Sequence, residues 1–161
     1  MYQNNSHNIS IIIPVLNEAE HIGHLLKYLN SNCNTIQVKE IIIVDGGSED
    51  KTPNIALDFG ATLVHSEKGR AKQMNKGAEL ATGSVLYFLH ADTFPPKKFA
   101  THIINAVALG KSAGCFRIKF DSNNWLLRVS GWFSRLNIKV CRGGDQSLFL
   151  TRQLWDRSNG F

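Results

Sequence analysis

Apolar residues in this chain fall into short unbroken runs separated by helical stripes. Ile9–Val15 is a near-continuous apolar run, as expected of a strand covered on both faces. Ile22, Leu25, Leu26 and Leu29 follow at i, i+3, i+4 and i+7 and mark an amphipathic helix. Asn17 is placed to cap that helix, with Glu20 three residues on to reach back. Glu40–Val44 reads as a second buried strand, and Thr52-Pro53 as a helix start with a cap followed by proline. Ile55, Ala56 and Phe59 would form the inner face of that helix, and Ala61–His65 a short third strand. Ala71, Met74, Ala78 and Ala81 stripe the next helix, and Gly83 is expected to end it. Val85–Leu89 is the fourth strand, and Pro95-Pro96 opens a helix carrying Phe99, Ile103 and Val107.

Strands alternating with helices predict right-handed βαβ units and an α/β fold, a mostly parallel sheet flanked by helices. From Ala113 the character changes. Gly114–Asp121 alternates apolar and charged residues, Asn124–Asn137 is helix-like, and Lys139–Thr151 reads as more strand. There is no internal repeat, low-complexity stretch or linker, so residues 1–161 are read as one domain.

Composition changes this picture little. The chain has 161 residues, enough for one real core, and is 43% hydrophobic and 19% charged, ordinary for a globular domain. A net charge of +5 suits an anionic partner such as a nucleoside diphosphate, nucleic acid or acidic lipid, and a generally basic surface explains it equally well. The grouping of Arg70, Lys72 and Lys76 is more informative than the total. Cys33, Cys115 and Cys141 are odd in number and form no CxxC pair, which disfavours a disulfide framework or zinc site and favours a reducing compartment. The polar start and the lack of a run of about 20 apolar residues predict a soluble, cytoplasmic protein.

Candidate chemistry gathers where strands give way to loops, the edge at which open α/β sheets bind ligands. Glu18, Asp45 and Asp92 stand at such points. Asp45-Gly46-Gly47-Ser48 is neither a dinucleotide nor a P-loop signature, so alone it is a tight turn or a site of close backbone approach. Arg70 and Lys72 open a helix, where free backbone N–H groups favour phosphate. The helix dipole disfavours cations there, so something must compensate them. His90-Ala91-Asp92 closes the fourth strand, and Gly143-Gly144-Asp145-Gln146 precedes the apolar run Ser147–Leu150.

Four segments carry a resemblance: ISIIIPVLNE, IIIVDGGSEDKT, GRAKQMNKG and VLYFLHADT, in that order. Together they resemble the nucleotide-sugar domain of glycosyltransferase family 2, of GT-A type. The nearest likeness is to the subgroup described as radical-SAM/selenodomain-associated transferase 2. The resemblance implies a GT-A-like, Rossmann-like fold and inverting transfer of a sugar from a UDP- or GDP-linked donor to a hydroxyl acceptor, assisted by Mg²⁺ or Mn²⁺. It implies that Asp45, in a turn with Gly46 and Ser48, accepts from a base ring N–H. Backbone at Pro14 and Val15 would flank the base, with Asn17 in the same loop. Glu18 either contacts ribose or simply favours a helix N-terminus. Arg70, and less strongly Lys72, would meet the diphosphate.

His90-Ala91-Asp92 stands where the family carries its metal-binding DxD. Asp92 matches the second acid, the direct metal ligand; the first acid is here a histidine. His90 then contacts ribose, ligates a softer ion such as Mn²⁺, or is a satisfied strand-end histidine. Asp145 would lie on the acceptor side, as a hydroxyl ligand or the catalytic base, with Arg142 and Trp132 nearby. Trp125, Trp132 and Phe133 read as core or membrane-proximal packing, which leaves peripheral membrane contact open. Asn159-Gly160-Phe161 corresponds to a segment that in the family precedes a Glu-Asp pair containing the usual base, so donor binding is expected with weak turnover. Two alternatives stay open. One is a nucleotidyltransferase of similar fold, although Pro14–Glu18 lacks the glycine- and arginine-rich loop it would need. The other is a catalytically impaired nucleotide- or partner-binding module. No nucleic-acid partner is expected.

Overall fold

A computed structural model describes residues 7–116, 147–158 and 160–161. Asp145, Arg142, Trp125, Trp132, Phe133, Cys141, Asn159 and the helix-like stretch 124–137 lie outside the described residues. Along the chain run β1 (Ile9–Val15), α1 (Ala19–Asn32), β2 (Val38–Asp45), α2 (Thr52–Asp58), β3 (Thr62–His65) and α3 (Arg70–Leu80). They are followed by β4 (Val85–Phe88), α4 (Phe99–Ala108), β5 (Ala113–Cys115), β6 (Leu148–Thr151) and α5 (Arg152–Ser158).

The described strands form one sheet of order β3-β2-β1-β4-β6-β5. The β1–β2, β1–β4 and β2–β3 pairs are parallel, while β6 runs antiparallel to β4 and β5. The alternation of side chains along the central strands sorts the core into two layers. Ile9, Ile11, Ile13 and Val15 pack with buried residues of α1, α2 and α4 on one face. Ile12, Ile42, Val44, Leu86 and Phe88 pack with Ala78 of α3 and Trp155 of α5 on the other. Both faces of β1 are therefore covered, which is why its sequence is apolar save for Ser10.

Several boundaries differ from those predicted. Asn17 does not cap α1: it adopts a left-handed φ of 54° and bonds across to the next loop. Thr52 is a helical residue whose buried hydroxyl serves α1, not its own helix. Phe59 lies at the rim, 36% exposed, and Ala71 faces solvent. The inner face of α3 is instead Gln73, Gly77 and Ala78. Gly83 is no C-cap: α3 ends at Leu80, and Gly83 is pressed against Ser10 so closely that a Cβ would lie 2.7 Å from the Ser10 backbone nitrogen. The proline pair precedes α4, which starts at Phe99.

At this lower edge Glu40 accepts from the Ser10 hydroxyl at 2.6 Å and from the Thr82 N–H at 2.7 Å. Burial alone would raise its carboxyl, but these donors, the Thr82 hydroxyl and Lys39 bring it below its ordinary range. Burial pushes the Cys33 thiol up to about 11, which leaves it unreactive, and Cys33 and Cys115 are both free. No described helix is long and apolar enough to cross a membrane.

Candidate functional site

The site forms where the order of strands reverses. The chain moves outward from β1 to β2 and β3, then returns through α3 to β4 on the far side of β1. Crevices outside the carboxyl ends of strands at such a point are the usual ligand sites of open α/β sheets. Pairing between β1 and β4 stops at Ile12–Phe88, while β1–β2 pairing continues to Val15–Asp45. Pro14, which has no N–H to offer a ladder, lies where β1 outruns β4. The gap becomes a cleft of about 160 Å³ lined by Pro14, Val15, Leu16, Glu18, Arg70, Gln73, His90, Ala91 and Asp92.

Seven residues predicted from three separate segments thus meet in one place: Pro14, Val15, Glu18, Arg70, His90, Ala91 and Asp92. Arg70 is the first residue of α3, so its guanidinium and the N–H groups of that helix start share one end of the cleft. Asp92 lies past β4; the Thr93 hydroxyl donates to its Oδ1 at 3.2 Å. No group of three or more His, Cys, Asp or Glu among the described residues could hold a metal alone. Asp92 with His90 is a partial donor set of the kind Mg²⁺ or Mn²⁺ completes with substrate phosphate oxygens and water.

Asn17, Asp45, Gly46, Ser48 and Lys72 do not line the cleft. Asp45 is 2% exposed. Its Oδ1 accepts from the Ser48 N–H and hydroxyl, and its Oδ2 from the Gly47 and Ser48 N–H groups. His65 Nδ1 stands 3.5 Å from Oδ2. Gly47, at φ 95°, makes the turn possible. Lys72 pairs with Glu67, which answers the cost of a cation in the first turn, and holds the Glu67 carboxyl below its usual range. Lys76 stands 3.7 Å from Glu79, so of the basic cluster Arg70 alone lines the cleft.

Asn17 and Ser48 instead latch two loops together. The Asn17 N–H donates to Ser48 Oγ at 2.9 Å, and the Glu49 N–H donates to Asn17 Oδ1 at 2.8 Å. The Glu18 N–H reaches Thr52 Oγ1 at 2.8 Å and the Ala19 N–H reaches Asp50 Oδ2 at 3.0 Å. Side chains of the β2–α2 loop and of the first residue of α2 therefore supply the caps that α1 lacks locally. The Thr52 hydroxyl and N–H, with the Ala19 N–H, keep the Asp50 carboxyl below its ordinary range despite some desolvation.

The profile of the family described as Glycosyl transferase family 2 matches residues 10–155. The chain belongs to glycosyl transferase family 2. It is similar to the glycosyltransferase AglE of Haloferax volcanii, 32% identical over 107 residues that make up 62% of this chain and 35% of that protein. In fold it is similar to the mannosyltransferase PcManGT from Pyrobaculum calidifontis, solved in complex with GDP-Man and Mn²⁺. The TM-score is 0.73 at 22% identity, covering 98% of this chain and 48% of that one. Glucosyl-3-phosphoglycerate synthase from Mycobacterium tuberculosis, solved with Mn²⁺, UDP and its product, matches with a TM-score of 0.67 at 19% identity, covering 92% and 58%. This chain thus spans about a third of the AglE sequence and about half of each structural neighbour. The family 2 member described here has a GT-A fold, and its α/β sheet matches the architecture predicted from the sequence.

Sequence reasoning missed two of the residues that line the cleft, Leu16 and Gln73, and Gln73 is the polar one. It is 5% exposed, and its Nε2 donates to the Val15 and Val44 carbonyls, both at 2.8 Å. The available signal was a polar side chain one turn after Arg70, on the face that carries Gly77.

Proposed function

We propose that this domain binds a nucleoside-diphosphate sugar in the cleft between the ends of β1 and β4 and transfers the sugar to a hydroxyl acceptor. The observation that carries this reading is the convergence of the Arg70 helix start with His90-Ala91-Asp92 across a cleft floored by Pro14–Leu16. One end offers a cation and helix N–H groups to a diphosphate, and the other offers a carboxylate. Family membership and neighbours solved with GDP-Man or UDP support the donor class.

The reaction we assign is a single displacement with inversion. The acceptor oxygen attacks the anomeric carbon as the bond to the diphosphate breaks, and the electron pair leaves with the diphosphate oxygen. Arg70 and the α3 start meet the charge that develops there. Asp92, with His90 beside it, would hold a Mg²⁺ or Mn²⁺ ion, which when bound supplies further neutralisation of the leaving diphosphate. Asp145 is assigned to the acceptor's proton, as base or hydroxyl ligand. The finer likeness to the radical-SAM/selenodomain-associated subgroup includes the GDQ-type segment Gly144-Asp145-Gln146.

Titration calorimetry with UDP and GDP, with and without Mn²⁺, tests the reading. Removing one partner of a charge-assisted contact costs about 1.5–3 kcal/mol, so Arg70→Ala should bind at least tenfold more weakly. Asp92→Asn should abolish the Mn²⁺ enhancement, and His90→Ala should only reduce it. Wild-type affinity in Arg70→Ala would remove the diphosphate from this end of the cleft, and a larger loss in His90→Ala would exchange the two metal-ligand roles.

A further inference from the structure

Gln73 does two things at once. Its Nε2 faces two carbonyl oxygens, from the last residue of β1 and the next-to-last residue of β2, and so ties these strand ends together. That environment also fixes the amide orientation, because an oxygen in the same place would face two acceptors. Oε1 is therefore turned away from both carbonyls and makes no hydrogen bond among the described residues. Gln73 lines the cleft, so this residue, nineteen-twentieths buried, brings its carboxamide to the cleft wall. Gly46 leaves room for it: a Cβ there would lie 3.0 Å from Gln73 Cδ and 3.1 Å from Oε1.

The contrast with Asp45 points to what this acceptor is for. A carboxylate has about four acceptor positions. Those of Asp45 receive the Gly47 N–H, the Ser48 N–H shared between both oxygens, and the Ser48 hydroxyl, with His65 alongside. Asp45 is fully engaged behind the turn, while the Gln73 carboxamide lies against Gly46 and the Val15 carbonyl at the cleft wall.

We propose that Gln73 Oε1 accepts the ring N–H of the donor's nucleobase, N3–H of uracil or N1–H of guanine, and that Asp45 serves by holding the Gly46–Ser48 turn. The inference rests on the cleft being the nucleotide site. A methyl group on that ring nitrogen removes the donor and fills the contact, which separates this contact from the rest of the nucleotide. The affinities to measure are those for UDP, N3-methyl-UDP, GDP, N1-methyl-GDP and inorganic pyrophosphate. The wild-type protein should prefer the unmethylated form of its nucleotide at least tenfold. Gln73→Met should bring that ratio close to one with pyrophosphate binding changed less than threefold, while Asp45→Asn should keep the ratio. Gly46→Ala, which displaces the carboxamide without adding a polar group, should also lower the ratio and answers the question if Gln73→Met does not fold. A full wild-type ratio in either the Gln73 or the Gly46 variant would overturn the inference. So would an equal loss for UDP, its methylated form and pyrophosphate, which marks a purely structural role. Failure of the wild-type protein to bind either nucleotide would overturn the cleft reading itself.

Discussion

Gly77 sets how closely α3 approaches the sheet, and α3 carries both Arg70 and Gln73. A Cβ on Gly77 would lie 2.5 Å from Ile12 Cγ2 and 2.9 Å from Val44 Cγ2. Carbon atoms in contact prefer about 3.5–4.0 Å, so Gly77→Ala requires a displacement of about 1 Å. Ile12 and Val44 are β-branched, fully buried and held in adjacent strands, so the helix has to move outward. Overpacking of this kind costs about 1–3 kcal/mol, and rigid neighbours put it toward the upper end. Alanine returns about 1 kcal/mol through helix propensity. The net expectation is a loss of about 1–2 kcal/mol, or about 2–8 °C in Tm at this chain length. The same displacement stretches both 2.8 Å bonds of Gln73, one turn earlier on the same face, so nucleotide affinity should fall with stability. Thermal melts paired with UDP and GDP titrations test both parts. A rise in Tm by the propensity gain would refute the packing argument, and a lower Tm with unchanged affinity would uncouple α3 seating from the cleft.

Two further variants probe the opposite edge of the sheet. The Arg152 guanidinium donates to the Ala78 carbonyl at 2.8 Å and to the Ala81 carbonyl, capping the C-terminal end of α3. Arg152→Ala should cost about 1.5–3 kcal/mol in thermal unfolding, with UDP and GDP affinity within twofold because the cleft lies at the other end of the helix. Glu40 has its folded-state pKa held below the ordinary range, so its contribution is present above the unfolded value and is lost as pH falls through the folded one. Glu40→Gln should therefore flatten part of the stability loss between neutral pH and pH of about 3, and a variant with an unaltered acid limb would remove Glu40 from that transition.

The fold was largely legible because its signals are periodic and local. The unbroken apolar runs at Ile9 and Glu40 and the stripe from Ile22 to Leu29 allow only one assignment each, and β1, β2 and α1 appear there. Helix ends were less legible because their caps are not local. A sequence reading looks for the α1 cap at Asn17, next to the helix, yet the acceptors come from Asp50 and Thr52, about 30 residues away. Gly83 reads as a helix stop by position, and its real constraint is the Ser10 backbone pressed against it from another strand. α5 was not read at all; its seven residues are too few to establish a period.

The site divides along the same line. Residues at or just past the end of a strand or at the start of a helix, such as Pro14, Asp92 and Arg70, are placed by topology, and all three line the cleft. Polar residues inside the loops are ambiguous, because a side chain that can bind a ligand can equally bind the neighbouring loop. Asn17 and Ser48 do the latter, while Asp45 holds its own turn, and this gives them a consequence for function. The β1–α1 loop contributes Leu16 and Glu18 to the cleft, both half-buried, with Asn17 exposed between them. Its position is set by four hydrogen bonds to the β2–α2 loop and the first residue of α2, each of which fixes a backbone group. Loosening that latch therefore moves cleft residues without removing any of them, so variants of Asn17 or Ser48 would mimic the loss of a ligand contact. Only a measurement that resolves one part of the nucleotide from another, as methylation of the base does for Gln73, separates a side chain that touches the donor from one that holds the wall in place.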